Sequence, residues 1–324
     1  SINWGPWDGG MVTTALKREF ERNGIHLIPT DYGAESMLYE MMARPNGSVE
    51  IVIGAELNGA AHTARNLPNR PELVKPEPGA IKQQLTLSFE REIDVHQYPI
   101  LQSHIIDGKP VVPLALMTEW FAHGALHENP GLLLHGLDDI RVMKGIRLEQ
   151  EQKQIRLLAG KLQKNGAFYE VEVELRDGKL IGKDTLHARA KAVLSDSLAA
   201  APAYQFSKTM VAKAYTRNMK DVYDKILFHG LQLHGIRKIV SCSPRGMVAH
   251  IATAPVPGEW MSMPLRNQWI ADPLVLDCAF QMATVWCFEE KGAVSLPSYC
   301  SSYRQYCEQF PSDGVTVVLE IQDV

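Results

Sequence analysis

The stretch HIIDGKPVVP, residues 104–113, decides how the rest of the chain is read. It brings one titratable imidazole, His104, ahead of Gly108 and two prolines, then runs into the apolar PLALMTEWF of residues 113–121. Proline suits the first turn of a helix, so a helix is predicted from Pro113 to about Leu126, apolar enough to be buried. A helix entrance carries unpaired N–H groups and a positive end that favour a polarised oxygen, and Gly108 lets a ligand approach the backbone. A carbonyl held there would place its neighbouring carbon within reach of His104, a competent base because a neutral imidazole has a pKa near ~6.5. The other reading is a satisfied loop histidine beside a turn glycine and a helix-starting proline.

Around this helix, TLSFERE, GIRLEQ, KQIRLLAGKLQ, GAFYEVEVELRD and LHARAKAVL alternate apolar and polar residues between glycine-containing turns, the signature of an antiparallel sheet. A polar, alanine-rich break, SDSLAAAPAYQFS, separates them from a second block of similar order. That block has a loop, ILFHGLQLHGI, strands KIVSCS and MVAHIATA, a helix ADPLVLDCAFQMATVWCFEE, and strands beginning at SYRQYCEQF and VTVVLEI. Each half embeds one long apolar helix among strands, which suggests an internally duplicated α+β unit. Ahead of both lie a strand and loop (INWGPWDGGM), two helices (VTTALKREFERNG and TDYGAESMLYEMMARP), a strand (SVEIVIGAEL) and the proline-rich NLPNRPELVKPEPGA, read as a linker.

The second helix carries Asp277 and Gln281 four residues apart, hence on one face, among Leu274, Val275, Leu276, Ala279 and Phe280. Burial would raise the pKa of Asp277 and leave a carboxylic acid able to donate a proton at neutral pH, with the Gln281 amide orienting it. Alternatively Asp272 caps the helix and Asp277 emerges on a solvated strip. Taken together, a base beside an activated carbonyl in one half and a neutral acid in the other are the equipment for removing an α-proton and expelling a β-hydroxyl as water.

Bulk properties narrow the rest. The net charge is −4 and the 33 basic residues are scattered, so neither a nucleic-acid backbone nor an anionic membrane is an expected partner. No apolar run reaches the length of a membrane-spanning helix, and the start, SINWGPWDGG, lacks the basic and apolar regions of a signal peptide. The absence of an initial Met suggests an excised piece. Five cysteines without a CxxC pair point to reduced thiols in a cytoplasmic protein. Glu119, His123, His127 and His135 could be imagined around a metal, but no HExxH is present and no metal is expected.

These residues resemble a family. His104, Gly108 and Pro113 match the HxxxGxxxxP motif, and Asp277 with Gln281 the DxxxQ/H motif, of the double hot-dog dehydratase domains of polyketide synthases and related fatty acid synthases. ILFHGLQLHGI resembles the family's GYxYGPxF loop, with His229 where the second Tyr stands and Leu231 where the Pro stands, and SLPSYCSSYR resembles its LPxxxxxxR region. The resemblance covers about residues 80–324. It implies an α+β double hot dog, two antiparallel sheets each wrapped around a central helix, with the active site between the halves. His104 would be the base, Asp277 the acid and Gln281 its partner, with the Gly108 N–H on the thioester carbonyl and Pro113, His229 and Gly230 in support; His229 could donate a hydrogen bond to the leaving hydroxyl.

The implied substrate is a 3-hydroxyacyl chain on the phosphopantetheine of acyl carrier protein, and the product a 2-enoyl thioester, with no cofactor bound directly. INWGPWDGGM resembles the end of a polyketide ketoreductase, without that family's nucleotide fingerprint or its Tyr and Lys pair. This order is associated with iterative synthases such as polyunsaturated fatty acid synthases. The expected organisation is a ketoreductase fragment (1–60), a linker (61–80), an N-terminal hot dog (81–196), a second linker (197–210) and a C-terminal hot dog (211–324) that ends one or two strands short. Acyl carrier protein, other domains of the same synthase and a second copy in a homodimer are the expected partners. A silent pseudo-dehydratase that binds acyl chains or carrier protein, and a double-bond isomerase, are the alternative readings.

Overall fold

A computed structural model describes residues 2–4, 7–8, 17, 27–42, 51–53, 85–148, 152–178, 184–204 and 214–322. Contacts divide the chain into two units, residues 1–80 and 81–324. In the first, β1 (Ile2–Trp4) runs parallel to β4 (Ile51–Ile53) and β2 (Trp7–Asp8) parallel to β3 (Ile28–Pro29), with α1 over Thr30–Met42. The helix expected over VTTALKREFERNG and the linker 61–80 lie outside the described residues, apart from Lys17.

The second unit begins with β5 (Thr86–Asp94), a short helical turn at Pro99–Ser103, and a small hairpin of β6 (Ile105–Ile106) and β7 (Lys109–Pro110). The helix α2 (Leu114–His127) follows, then β8 (Leu133–Val142), β9 (Gln152–Ala159), β10 (Gln163–Asn165), β11 (Phe168–Asp177) and β12 (Thr185–Ser195). After them come α3 (Met219–Lys225), β13 (Ile236–Ser243), β14 (Gly246–Ile251), α4 (Pro257–Trp260), α5 (Pro273–Lys291), β15 (Tyr299–Arg304) and β16 (Val315–Glu320). One antiparallel sheet has the order β15-β8-β12-β11-β9-β5, with β10 paired to β11; a second has the order β13-β14-β16.

Alternation explains the first sheet. Val171, Val173 and Leu175 of β11 and Ile155 and Leu157 of β9 are buried, and burying each such side chain contributes about 1.5–3 kcal/mol. The helix they cover, α2, is buried nearly all round, with Trp120 and Phe121 among the largest enclosed side chains. α5 packs on α2 and on β13, β14 and β16. It starts where the sequence marks it: the Asp272 carboxylate accepts the N–H groups of Leu274 (3.0 Å) and Val275 (2.9 Å), Pro273 opens the first turn, and Gly292 ends the helix with φ +67°.

Two strands depart from the expected pattern. The described part of GIRLEQ, residues 145–148, forms an isolated bridge, Val111 with Arg147; the strand lies earlier, at Leu133–Val142. Its alternation is broken because Asp139 takes φ +49° and the register against β12 slips beside it, as at a bulge. The strand expected from SYRQYCEQF is Tyr299–Arg304, and it joins the edge of the first sheet at β8 rather than the sheet of its own half. There the Arg304 guanidinium grips the Asp138 carboxylate through two bonds, of 2.6 and 2.9 Å.

Candidate active site

His104 is aimed by the hairpin that follows it. The Val111 N–H donates to the His104 carbonyl (2.9 Å), and His104 Nδ1 lies 2.8 Å from the Val111 carbonyl. A carbonyl can only accept, so Nδ1 carries the proton and Nε2 keeps a free lone pair. Burial pushes the His104 pKa down to about 4, and the bond to Val111 offsets only part of this. The imidazole is therefore neutral, and basic at Nε2, through the neutral range.

Gly108 sits elsewhere than expected. It is exposed at the tip of the β6–β7 hairpin with φ +73°, beside Asp107 at φ +51°, and it is not part of the cavity wall, so its glycine character serves the turn. Pro113 caps α2, and its carbonyl accepts the N–H groups of Leu116 and Met117. Leu114, in the first turn of α2 where N–H groups lack intrahelical partners, lines the cavity.

Asp277 projects from α5 and is 4% exposed. Burial raises its pKa to about 7, and the hydrogen bond from Gln281 pulls the other way. Gln281 Nε2 donates to Asp277 Oδ2 (2.7 Å) and to the Leu233 carbonyl (2.9 Å). Tyr223, on α3, fixes which way that amide points. Its hydroxyl accepts the Ile236 N–H (2.9 Å), so its own proton goes to Gln281 Oε1 (3.1 Å), leaving Nε2 for the carboxyl. The Tyr223 ring stacks on His234 at 3.7 Å between centroids, and His234 Nε2 donates to the His229 carbonyl (2.9 Å).

The two halves meet at these residues. His104 and His229 form an antiparallel bridge, and the Gly230 N–H donates to the Ser103 carbonyl at 2.7 Å. A Cβ on Gly230 would lie 2.9 Å from Ser103 Cα, so only glycine permits this approach. The His229 ring lies 5.3 Å from that of His104, and His229 Nε2 lies 3.5 Å from Asp277 Oδ2. Burial and the neighbouring His104 and His234 push the His229 pKa down to about 3. A cavity of about 230 Å³ opens onto His104, His229, Asp277 and Gln281, with Met117, Phe228 and Phe280 as apolar wall.

The structure does not gather the other metal candidates. The Glu119 carboxylate, buried and raised to about 7 by desolvation, accepts the N–H groups of Ile270 (3.0 Å) and Ala271 (2.8 Å). His123 Nδ1 accepts from Arg266, and His135 stacks on Phe168. Sequence reasoning also missed Tyr223, although Asn218 followed three residues later by Asp221 is a legible helix start: the Asn218 side chain accepts the Asp221 N–H at 2.8 Å. Arg147, Leu296 and Pro297, on the cavity wall, carried no local signal beyond the last pair's place in the LPxxxxxxR stretch.

The antiparallel sheets and the two long helices, with His104 and Asp277 lining one cavity, define a class by fold: the chain has the double hot-dog fold of polyketide synthase dehydratase domains. It superposes on the dehydratase domain of the CurF module of curacin polyketide synthase with a TM-score of 0.60 at 17% identity, over 76% of this chain and 85% of that one. A trans-AT polyketide synthase dehydratase domain from Brevibacillus brevis gives a TM-score of 0.56 at 17% identity over the same shares. In sequence, the chain is similar to a polyunsaturated fatty acid synthase polypeptide of Thraustochytrium sp. (strain ATCC 26185 / S-3), 29% identical over 301 residues. These are 92% of this chain but only 10% of that protein. No family model matches the chain. Among the described residues no helix is long and apolar enough to cross a membrane.

Proposed function

We propose that the second unit is a dehydratase domain that removes water from a 3-hydroxyacyl thioester, carried on the phosphopantetheine arm of an acyl carrier protein, to give the 2-enoyl thioester. His104 Nε2 takes the α-proton, the electron pair left on carbon forms the double bond, and the β-hydroxyl leaves with the proton of neutral Asp277. The first-turn N–H of α2 polarises the thioester carbonyl, and His229 hydrogen-bonds the departing hydroxyl. No separate cofactor enters this scheme.

The observation that carries the reading is the pairing of a neutral histidine, its Nε2 free, with a carboxyl whose pKa is raised to about 7, in one cavity. Support comes from the neighbours: a His-to-Phe and an Asp-to-Asn form of the curacin CurK dehydratase are both described as inactive. We further assign residues 1–60 to the end of a ketoreductase, joined by 61–80 to hot dogs at 81–196 and 211–324 within a multidomain synthase. The test is mass spectrometry of 3-hydroxyacyl carrier protein incubated with the wild type, His104→Ala and Asp277→Asn. Loss of one water with the wild type alone supports the reading; equal silence of all three across several chain lengths, with carrier protein still bound, supports the pseudo-dehydratase instead.

A further inference from the structure

We propose that His104, His229 and Asp277 also form a binding site for a divalent transition-metal ion such as Zn²⁺, and that the bound ion blocks the acid and the base together. One donor atom from each residue lies within 4.8 Å of the other two, and among the described residues no other group of three such side chains is so placed. Two imidazole nitrogens and a carboxylate oxygen are a set that Zn²⁺ accepts, with a fourth position left to water or ligand from the cavity.

The geometry of His229 points the same way. Its ring is 9% exposed, lines the cavity, and turns Nε2 toward Asp277 Oδ2 at 3.5 Å, so one ring nitrogen is already aimed at the carboxylate it would share an ion with. His104 already has the outer support typical of a metal-bound histidine: its Nδ1–H is spent on the Val111 carbonyl, which leaves Nε2 to ligate. Gln281 holds the Asp277 carboxyl in the same way. Metal bonds of about 2.0–2.2 Å place ligand atoms roughly 3.3–3.6 Å apart in a tetrahedral site, so the three side chains need to close by about an ångström. The backbone bridge between His104 and His229 keeps that closure a matter of side-chain rotation. In the family that the sequence resembles, a tyrosine stands at the position of His229, and a neutral phenol would be a poor third ligand.

The ion would take the His104 lone pair and hold Asp277 ionised, so it would compete with the acyl thioester. This second half rests on the dehydratase reading; the binding itself does not. The experiment titrates the chelator-treated full chain with Co²⁺, read by visible absorption, and then displaces it with Zn²⁺. The expected result is one Co²⁺ per chain with the strong bands of a low-coordinate ion, weakened at least tenfold in His229→Phe and in Asp277→Asn and unchanged in His123→Ala. Thermal melts establish that each variant is folded. Zn²⁺ should raise the apparent KM for a 3-hydroxyacyl thioester without lowering kcat, reversibly with chelator. No saturable signal at submillimolar Co²⁺, or equal binding by all variants, overturns the site; inhibition that substrate cannot relieve overturns the competition. Ligand-dependent Co²⁺ binding in a chain without turnover would uphold the site while the dehydratase reading falls.

Discussion

Replacing Gln281 by Met keeps the length of the side chain and removes the donor that Asp277 Oδ2 receives at 2.7 Å. A hydrogen bond to a charged acceptor is worth about 1.5–3 kcal/mol and one to a neutral acceptor about 0.5–1.5 kcal/mol, so the ionised form of Asp277 loses roughly 1–1.5 kcal/mol more than the acid does. At about 1.36 kcal/mol per pKa unit, the acid's pKa should rise by about one unit. In the wild type, kcat/KM should fall on the acid side as His104 protonates near pH 4 and on the alkaline side as Asp277 ionises near pH 7. In Gln281→Met the alkaline limb should move up by about one unit while the acid limb stays, and kcat should drop because the carboxyl is no longer oriented. The assay is the pH dependence of enoyl formation from a soluble 3-hydroxyacyl thioester, pH by pH for both proteins. An alkaline limb that stays in place, or moves down, would refute the assignment of Asp277 as the titrating acid held by Gln281.

Further expectations concern the scaffold. An acid whose folded pKa is raised binds its proton more tightly when folded, so Asp277 costs stability progressively as pH rises from about 4 to about 7; Asp277→Asn should therefore melt higher than the wild type at pH 8 and gain little at pH 5, and the reverse order in calorimetry would contradict its burial. Glu119→Ala leaves the Ile270 and Ala271 N–H groups unpaired at the entry to α5, and denaturant unfolding should show a loss of about 2–4 kcal/mol. Gly230→Ala forces a Cβ against Ser103, so turnover should fall with the bridge that holds His229 to His104, while the far-UV circular dichroism stays native; full activity would mean that the bridge does not position the site.

Much of this site was legible because its residues break local rules. His104 before a helix-starting proline and Asp277 inside an apolar helix both ask for an explanation that packing alone does not give, and both line one cavity. The termini of α5 were equally plain, since Asp272-Pro273 and Gly292 cap it as their types require. Gly108 was legible only as a position that tolerates positive φ, since a sequence does not show whether a turn or a ligand demands it. The strand at Leu133–Val142 was hidden by its own bulge at Asp139, and the pairing of β15 with β8 is a long-range choice that no local pattern encodes. Tyr223 went unseen for a related reason: it reaches Gln281 across 58 residues, and a lone tyrosine on a seven-residue helix looks like packing.

The most direct test of the central claim follows the α-proton itself. A 3-hydroxyacyl thioester carrying two deuterium atoms at the α-carbon is incubated with the wild type and with His104→Ala, and the product mass is read. Abstraction at the α-carbon predicts that the wild type removes one deuterium together with the hydroxyl, leaving a 2-enoyl product with a single deuterium, and that His104→Ala removes neither. A product that keeps both deuterium atoms, or an unchanged rate in His104→Ala, would contradict the account.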